Sequence, residues 1–333
     1  MAADDTSSTK GRWERALGVV DSWGEAARYQ DSPFYSSRAS ITSSSSSGES
    51  SNSSAAADSY LLPDDEREPE RLDFWGHTFV QTLDGALYAA PLVREDLELV
   101  LDIGTGTGIW ALDFADTHPD AQVLAFDIKH VQPSWTSPNC KFLVVDAEED
   151  WPFEDNAFDF VHARYLYPAI TDWPRLWRQS FTCLKPGGWV EHQEDSAMFW
   201  SDDPGFENSR TKYFANQIEY ASKKIGKNFR IAAEQKDRME EVGFTNVVQK
   251  LCKIPIGTWD ETQLDLGKRM LLVVLEGIAP TAVPVFTRVL GYDNDEIEEL
   301  LDEVRAEFLK QEYRVYLKFY YTYGQKPSDS DSE

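Results

Sequence analysis

Sulfur is scarce in this chain: three cysteines in 333 residues, Cys140, Cys183 and Cys252, far apart and with no CxxC pair. An odd, scattered set argues against a disulfide framework and against a zinc site, so no metal is expected. Positive charge is short as well, with 32 Lys and Arg against 58 Asp and Glu and a formal net charge of -26. Nucleic-acid affinity rests mainly on Lys and Arg displacing counterions, and this balance disfavours a nucleic-acid partner. The opening MAADDTSSTK has acids where a secretory or transit signal carries basic residues and an apolar block. The apolar patch around Met270–Leu275 is cut by Glu276 and reads as too short for a bilayer crossing. These absences predict a cytoplasmic protein with no membrane partner. No basic cluster marks a nuclear signal, so nuclear entry would need a partner.

What is present falls into three stretches. Residues 1–59 are an extension dominated by Ser from Ser36 to Ser59, which cannot bury enough apolar surface to offset chain entropy and is expected to be disordered. Within it Trp13, Leu17 and Val20, with Trp23 nearby, have the spacing of a short docking helix. Residues 60–327 read as the folded domain and 328–333 as a disordered acidic tail. Leu72, Trp75, Phe79, Leu83 and Leu87 predict one or two helices over Glu68–Ala90. Strands are expected at Leu99–Ile103, Gln122–Ile128, Lys141–Val145, Phe158–His162 and from Trp189 to His192. Helices are expected at Trp110–Asp116 and Asp172–Leu184, the second ended by a Lys-Pro-Gly-Gly turn at 185–188. Strands apolar on both faces that alternate with helices specify an α/β fold, a doubly wound parallel sheet whose ligands sit beyond the carboxyl ends of the strands.

After Trp200 the alternation weakens. Helices are expected at Asn208–Ile225, Ala232–Val242, Thr262–Ala279 and Asp293–Glu312, and strands at Phe244–Ile254 and Tyr313–Tyr323. The segments around 200–235 and 260–312 read as helices added over the pocket. Asp293 and Glu296 have the spacing of a capping box.

The most informative stretch is Leu99–Trp110, LVLDIGTGTGIW, in which a strand delivers Asp102 into Gly104, Gly106 and Gly108. Glycines let backbone N–H groups approach a ligand and permit positive φ. Asp102 supplies an acceptor for an ammonium or hydroxyl group. Dinucleotide loops want glycines at one, three and six, whereas here the third comes at position five, and an acid before the first would repel a pyrophosphate. Asp127, ending the second strand, can accept hydrogen bonds from both hydroxyls of a ribose. Its lag of about 20 residues fits a dinucleotide equally well, so it does not separate the two cofactors.

The loop resembles motif I of the class I S-adenosylmethionine-dependent methyltransferases, where the glycines lie against the methionine part of the cofactor. Further pieces follow in order: Asp146-Ala147 after the third strand, Phe158-Asp159-Phe160-Val161 in the fourth, and Leu184-Lys185-Pro186-Gly187-Gly188 before the fifth. With Val161-His162-Ala163-Arg164 and Asp172-Trp173-Pro174 they resemble, over about Tyr60–Pro327, the fungal methyltransferase-domain proteins similar to the secondary-metabolism regulator LaeA. The resemblance implies a seven-stranded, mostly parallel, Rossmann-like class I fold that binds S-adenosylmethionine. It places Asp146 at the adenine amino group with Ala147 beside it, and it implies a role in or around fungal secondary metabolism. Two functions stay open: methyl transfer to a small-molecule acceptor, or a regulatory protein that binds the cofactor and works through a protein partner. Lys129-His130 and Val145 depart from the family pattern without touching the ribose or adenine contacts, whereas Tyr167, where a glycine is expected, faces the acceptor side.

No catalytic residue is assigned. A base is needed only where the acceptor must lose a proton, and His162 and His192, at the ends of the fourth and fifth strands, stand where one could act. Trp151, Tyr165, Tyr167, Trp189 and Trp200 are the aromatic residues that could wall the pocket.

Overall fold

A computed structural model describes residues 68–328. The expected disordered extension at 1–59, its docking helix and the tail at 329–333 lie outside the described residues.

Helix α1 (Glu68–Thr82) precedes the sheet. Strand β1 (Leu99–Ile103) runs through the glycines into α2 (Ile109–Thr117), followed by β2 (Gln122–Asp127), β3 (Cys140–Val144) and β4 (Phe158–Arg164). Helix α3 (Trp173–Cys183) leads into β5 (Leu184–Asp195). Then come α4 (Arg210–Lys224), α5 (Gln235–Val242), β6 (Thr245–Pro255), α6 (Leu264–Val285), α7 (Asn294–Lys310) and β7 (Tyr316–Gln325). The seven strands form one sheet in the order β3-β2-β1-β4-β5-β7-β6. β1 to β5 are mutually parallel, and β7 runs antiparallel to both its neighbours. The order reverses at β1, where the glycine loop leaves the sheet. A crevice at the carboxyl ends of β1 and β4 is the physical result.

Strand alternation splits the core into two layers. Leu101, Ile103, Leu124, Phe126 and Val161 pack on the side of α3 and the later helices. Val100, Val123, Ala125 and Phe160 pack on the other side under Trp110 and Phe114 of α2. Asp293 and Glu296 form the expected capping box at the start of α7.

Three expectations need correction. The Lys-Pro-Gly-Gly segment is not a turn outside the strand but an irregular stretch inside β5: Leu184 already pairs with Phe158, the register shifts, and Gly187 takes φ +82. β5 also runs three residues past His192, because Glu191, His192, Gln193, Glu194 and Asp195 are all buried in the middle of the sheet, where hydrophobic periodicity cannot register a strand. Finally, α6 continues past Ala279 through Pro280 and Pro284 into a π-helical turn at Phe286–Leu290. By length and composition the helix over 261–290 is apolar enough to cross a membrane, contrary to the sequence reading. In the fold it forms a wall of the domain, burying Leu266, Met270, Val274 and Ile278.

Candidate active site

The glycine loop works as a backbone cradle. Gly104, Gly106 and Gly108 all have positive φ, at +62, +58 and +83. A Cβ on Gly108 would stand 2.5 Å from Phe142 Cζ, and one on Gly104 would collide with Leu166. Thr105 N–H donates to Phe126 O and Gly108 N–H to Thr105 O, while Gln132 Nε2 donates to Gly106 O at 2.6 Å. Gly106 N–H donates to Asp127 Oδ2 at 2.9 Å, and Lys129 N–H donates to Asp127 Oδ1 at 3.1 Å. Burial raises the Asp127 pKa, and these backbone donors oppose the rise. The carboxyl ends of β1 and β2 are thereby tied together.

One strand further on, Asp146 Oδ1 accepts from Glu148 N–H at 2.9 Å, and Trp151 Nε1 donates to Ala147 O at 3.1 Å. Asp102, Asp127 and Asp146 therefore stand in a row at or just past the ends of neighbouring strands. Asp102 differs from the sequence expectation of an open acceptor. It is buried beside its register partner His162, whose Nδ1–H donates to Oδ1 at 2.7 Å. Only Oδ2 is left, buried and without a hydrogen-bond partner. An orphaned carboxylate oxygen is costly to bury unless a donor arrives. Oδ2 beside a backbone cradle fits a ligand that carries an ammonium group.

Neither histidine faces the crevice. The His162 ring stacks on Trp110, with centroids 3.6 Å apart, and burial lowers its pKa against the pull of Asp102. His192 lies against Trp173 and Trp177, and burial pushes its pKa down to about 3. Both rings are buried, His162 on Asp102 and His192 with its Nε2 3.2 Å from Glu194, and neither lines the cavity.

Beside the loop, helices α1, α4 and α6 close a cavity of about 130 Å³ against the sheet. Trp75, Tyr165, Tyr167, Phe199, Phe214 and Phe229 give it aromatic walls. Leu72 links the two regions: it lines the cavity, and its Cδ1 lies 3.7 Å from where a Cβ on Gly106 would be. Thr107 Oγ1 donates to Asp73 Oδ1 at 2.5 Å and pins α1 to the loop. Tyr165 leaves β4 with φ +57, its N–H bonded to Gln193 O, and its ring stacks on Trp75 at 5.6 Å. Of the five aromatic residues proposed from sequence as walls, Tyr165 and Tyr167 line the cavity. Trp151, Trp189 and Trp200 do not.

Sequence reasoning missed Asp195 and Arg71, the charged residues at the cavity wall, and Gln132 beneath the loop. Asp195 ends the polar run Glu191–Asp195, and no local signal distinguishes it there. Among the described residues no cluster of His, Cys, Asp or Glu is suited to a metal ion, and Cys140, Cys183 and Cys252 are free thiols.

The chain is similar to "Methyltransferase pytC" of Aspergillus terreus, at 36% identity over 81% of this chain and 84% of that protein. It is 31% identical to "Secondary metabolism regulator laeA" of Aspergillus flavus, over 81% of this chain and 74% of the relative. To "Protein-methionine methyltransferase laeA" of Emericella nidulans it is 27% identical, over 92% and 82% of the two chains. The methyltransferase-domain family matches residues 74–249, from the middle of α1 into β6. With the seven-stranded sheet, the glycine cradle at its switch point and relatives matched over most of their length, the chain belongs to the methyltransferase-domain family.

Proposed function

We propose that this chain transfers a methyl group from S-adenosylmethionine to a small molecule held in the aromatic cavity. The carrying observation is that the cavity lies directly beside the cradle, the Leu72 side chain bordering both. Gly104, Gly106 and Gly108 would receive the methionine part, with Asp102 Oδ2 accepting from its ammonium group. Asp127 would hold the ribose hydroxyls, exchanging its present bond to the Gly106 N–H for them. Asp146 and Ala147 would meet the adenine. When bound, this donor supplies an electrophilic methyl group on a sulfonium.

The protein's own part is position and exclusion of water. Holding an acceptor in near-attack geometry accounts for much of the rate of a bimolecular displacement. Stacked and edge-on rings around Tyr165, with Tyr167 at 5.2 Å and Phe229 at 4.8 Å from Tyr167, form a rigid apolar wall suited to that task. The similarity to the pytC methyltransferase supports a place in secondary metabolism. A methionine of this chain as acceptor is not favoured, since among the described residues no methionine lines the cavity and Met198, Met239 and Met270 are core residues. The proposed compartment is the cytoplasm, where free thiols persist.

The test is calorimetry with S-adenosylhomocysteine on the full chain and on Asp127→Ala. Binding by the wild type and a loss of tenfold or more in the variant are expected. A wild type that does not bind refutes the reading.

A second reading is a regulator that acts through a protein partner. It is supported by the LaeA relatives and by Trp135, which is 77% exposed in the loop between β2 and β3. A stoichiometric partner captured by the wild type and lost with Trp135→Ser would favour it.

A further inference from the structure

Asp195 is an anomaly in the cavity. Its surroundings are aromatic and aliphatic, yet a carboxyl group at the last position of β5 reaches the wall. Oδ1 accepts from the N–H of Ala197, which holds φ +47. That bond occupies Oδ1 and leaves Oδ2 outside it, on a residue of the cavity wall. The neighbouring carboxylate, Glu194, is spent on structure, taking the N–H groups of Leu166 and Tyr167 at 2.8 and 2.9 Å. Those two bonds set the loop that carries Tyr165 and Tyr167. Arg71, the cation at the wall, already has a partner. The phenols of Tyr165 and Tyr167 lie 3.4 Å apart and engage each other. Asp195 is thus the carboxyl group of the cavity wall, with capacity left on Oδ2 for an occupant beside the hydroxyls of Thr281, Tyr165 and Tyr167.

Building on the reading of this cavity as the acceptor site, we propose that it selects a neutral, planar, largely apolar molecule whose oxygen substituent is held by the Asp195 carboxyl group. The walls favour a flat shape, because the ring surfaces of Trp75, Tyr165 and Phe214 that line the cavity offer flat apolar contact to a planar occupant. The carboxyl group determines polarity. An anionic ligand would have to give up its hydration for a low-dielectric space with no spare cation, a costly transfer. Burial, with repulsion from Glu194, raises the Asp195 pKa well above the usual carboxylate range, which makes the group a hydrogen-bond donor to a hydroxyl, enol or carbonyl oxygen.

The experiment uses 2-naphthol and 2-naphthoate as matched probes, titrated calorimetrically into the full-length protein with S-adenosylhomocysteine measured in parallel. The wild type should bind 2-naphthol about tenfold or more tightly than 2-naphthoate. Asp195→Ala should weaken 2-naphthol roughly tenfold, the usual scale for one buried hydrogen bond. Asp195→Asn, which keeps a donor of the same shape, should stay within about threefold of the wild type. Gly277→Leu fills the cavity and should abolish 2-naphthol binding while S-adenosylhomocysteine still binds. Equal affinity for the two probes overturns the proposal, and so does an Asp195→Ala variant that binds 2-naphthol as the wild type does. Unchanged 2-naphthol binding in Gly277→Leu overturns it as well. The wild-type comparison stands even where a variant fails to fold. Loss of S-adenosylhomocysteine binding would refute the methyl-donor reading instead, so the two failures are separable.

Discussion

Replacing Gly108 by alanine probes the cradle most sharply. At φ +83 an L residue sits in the left-handed region, which costs about 1–2 kcal/mol. The added methyl group would also stand 2.5 and 2.8 Å from two atoms of the Phe142 ring and 3.3 Å from Gln132 Cγ. Forcing a packed ring aside adds about 1–3 kcal/mol, for a total of about 2–5 kcal/mol. Gly106→Ala is the control: its φ is +58, but the nearest atom to its new methyl group is Leu72 Cδ1 at an ordinary 3.7 Å. It should cost only the backbone share of about 1–2 kcal/mol. Urea unfolding followed by tryptophan fluorescence measures both, and repeating Gly108→Ala in a Phe142→Leu background closes a double-mutant cycle. The coupling should return about 1–3 kcal/mol, bringing Gly108→Ala close to Gly106→Ala. A Gly108→Ala cost that is the same in both backgrounds would refute the steric argument, as would equal costs at the two glycines.

The remaining predictions concern charge, packing and the cavity. Glu191 accepts the N–H groups of Ala89 and Ala90 while buried, and burial raises its pKa to about 7. A carboxyl group raised on folding stabilises the protein below its unfolded value of about 4.5 and loses that contribution as pH rises through 7. Glu191→Gln should therefore gain stability relative to the wild type by about 1–3 kcal/mol between pH 5 and pH 8, read from unfolding midpoints. A flat difference across that range would contradict the assignment. His192→Gln should leave the pH profile of methyl transfer unmoved, because the imidazole is packed between tryptophans rather than facing the cavity. Asp293→Ala removes the side-chain acceptor of the Glu296 N–H at the start of α7, leaving the backbone N–H of residue 293 bonded to Glu296, and should cost about 1 kcal/mol, with S-adenosylhomocysteine affinity unchanged. Gly277 lies inside α6 with no atom within 4 Å of a new Cβ, so Gly277→Leu should raise stability by about 0.5–1 kcal/mol even as it blocks the acceptor.

Much of the fold is legible in the sequence because its signals are local. Three apolar residues ahead of an acid, followed by three alternating glycines, specify β1, the loop and the start of α2 without reference to anything distant. The spacing of Ile297, Leu300, Leu301, Val304 and Phe308 does the same for α7, all five being buried in it. Hydrophobic periodicity fails where the chain breaks its own rule. β5 carries five consecutive buried polar residues, legible only once Ala89, Ala90, Leu166 and Tyr167 are seen supplying their N–H groups from elsewhere in the chain. The sequence reading ends the helix at Ala279, although packing of Ile278, Ala282 and Val285 carries α6 on through Pro280 and Pro284.

The sequence by itself determined the class of fold, the row of acids and glycines at the strand ends and the kind of ligand such a row can hold. Each of these depends on residues within a few positions of one another. Only the tertiary structure decided that Asp102 is half spent on His162, that neither histidine lines the cavity and that Asp195 meets Trp75 and Phe214 there. Those facts arise from burial and from contacts between residues about 20 to 120 positions apart. A pKa or an unpartnered oxygen belongs to that assembled surrounding, not to the residue alone.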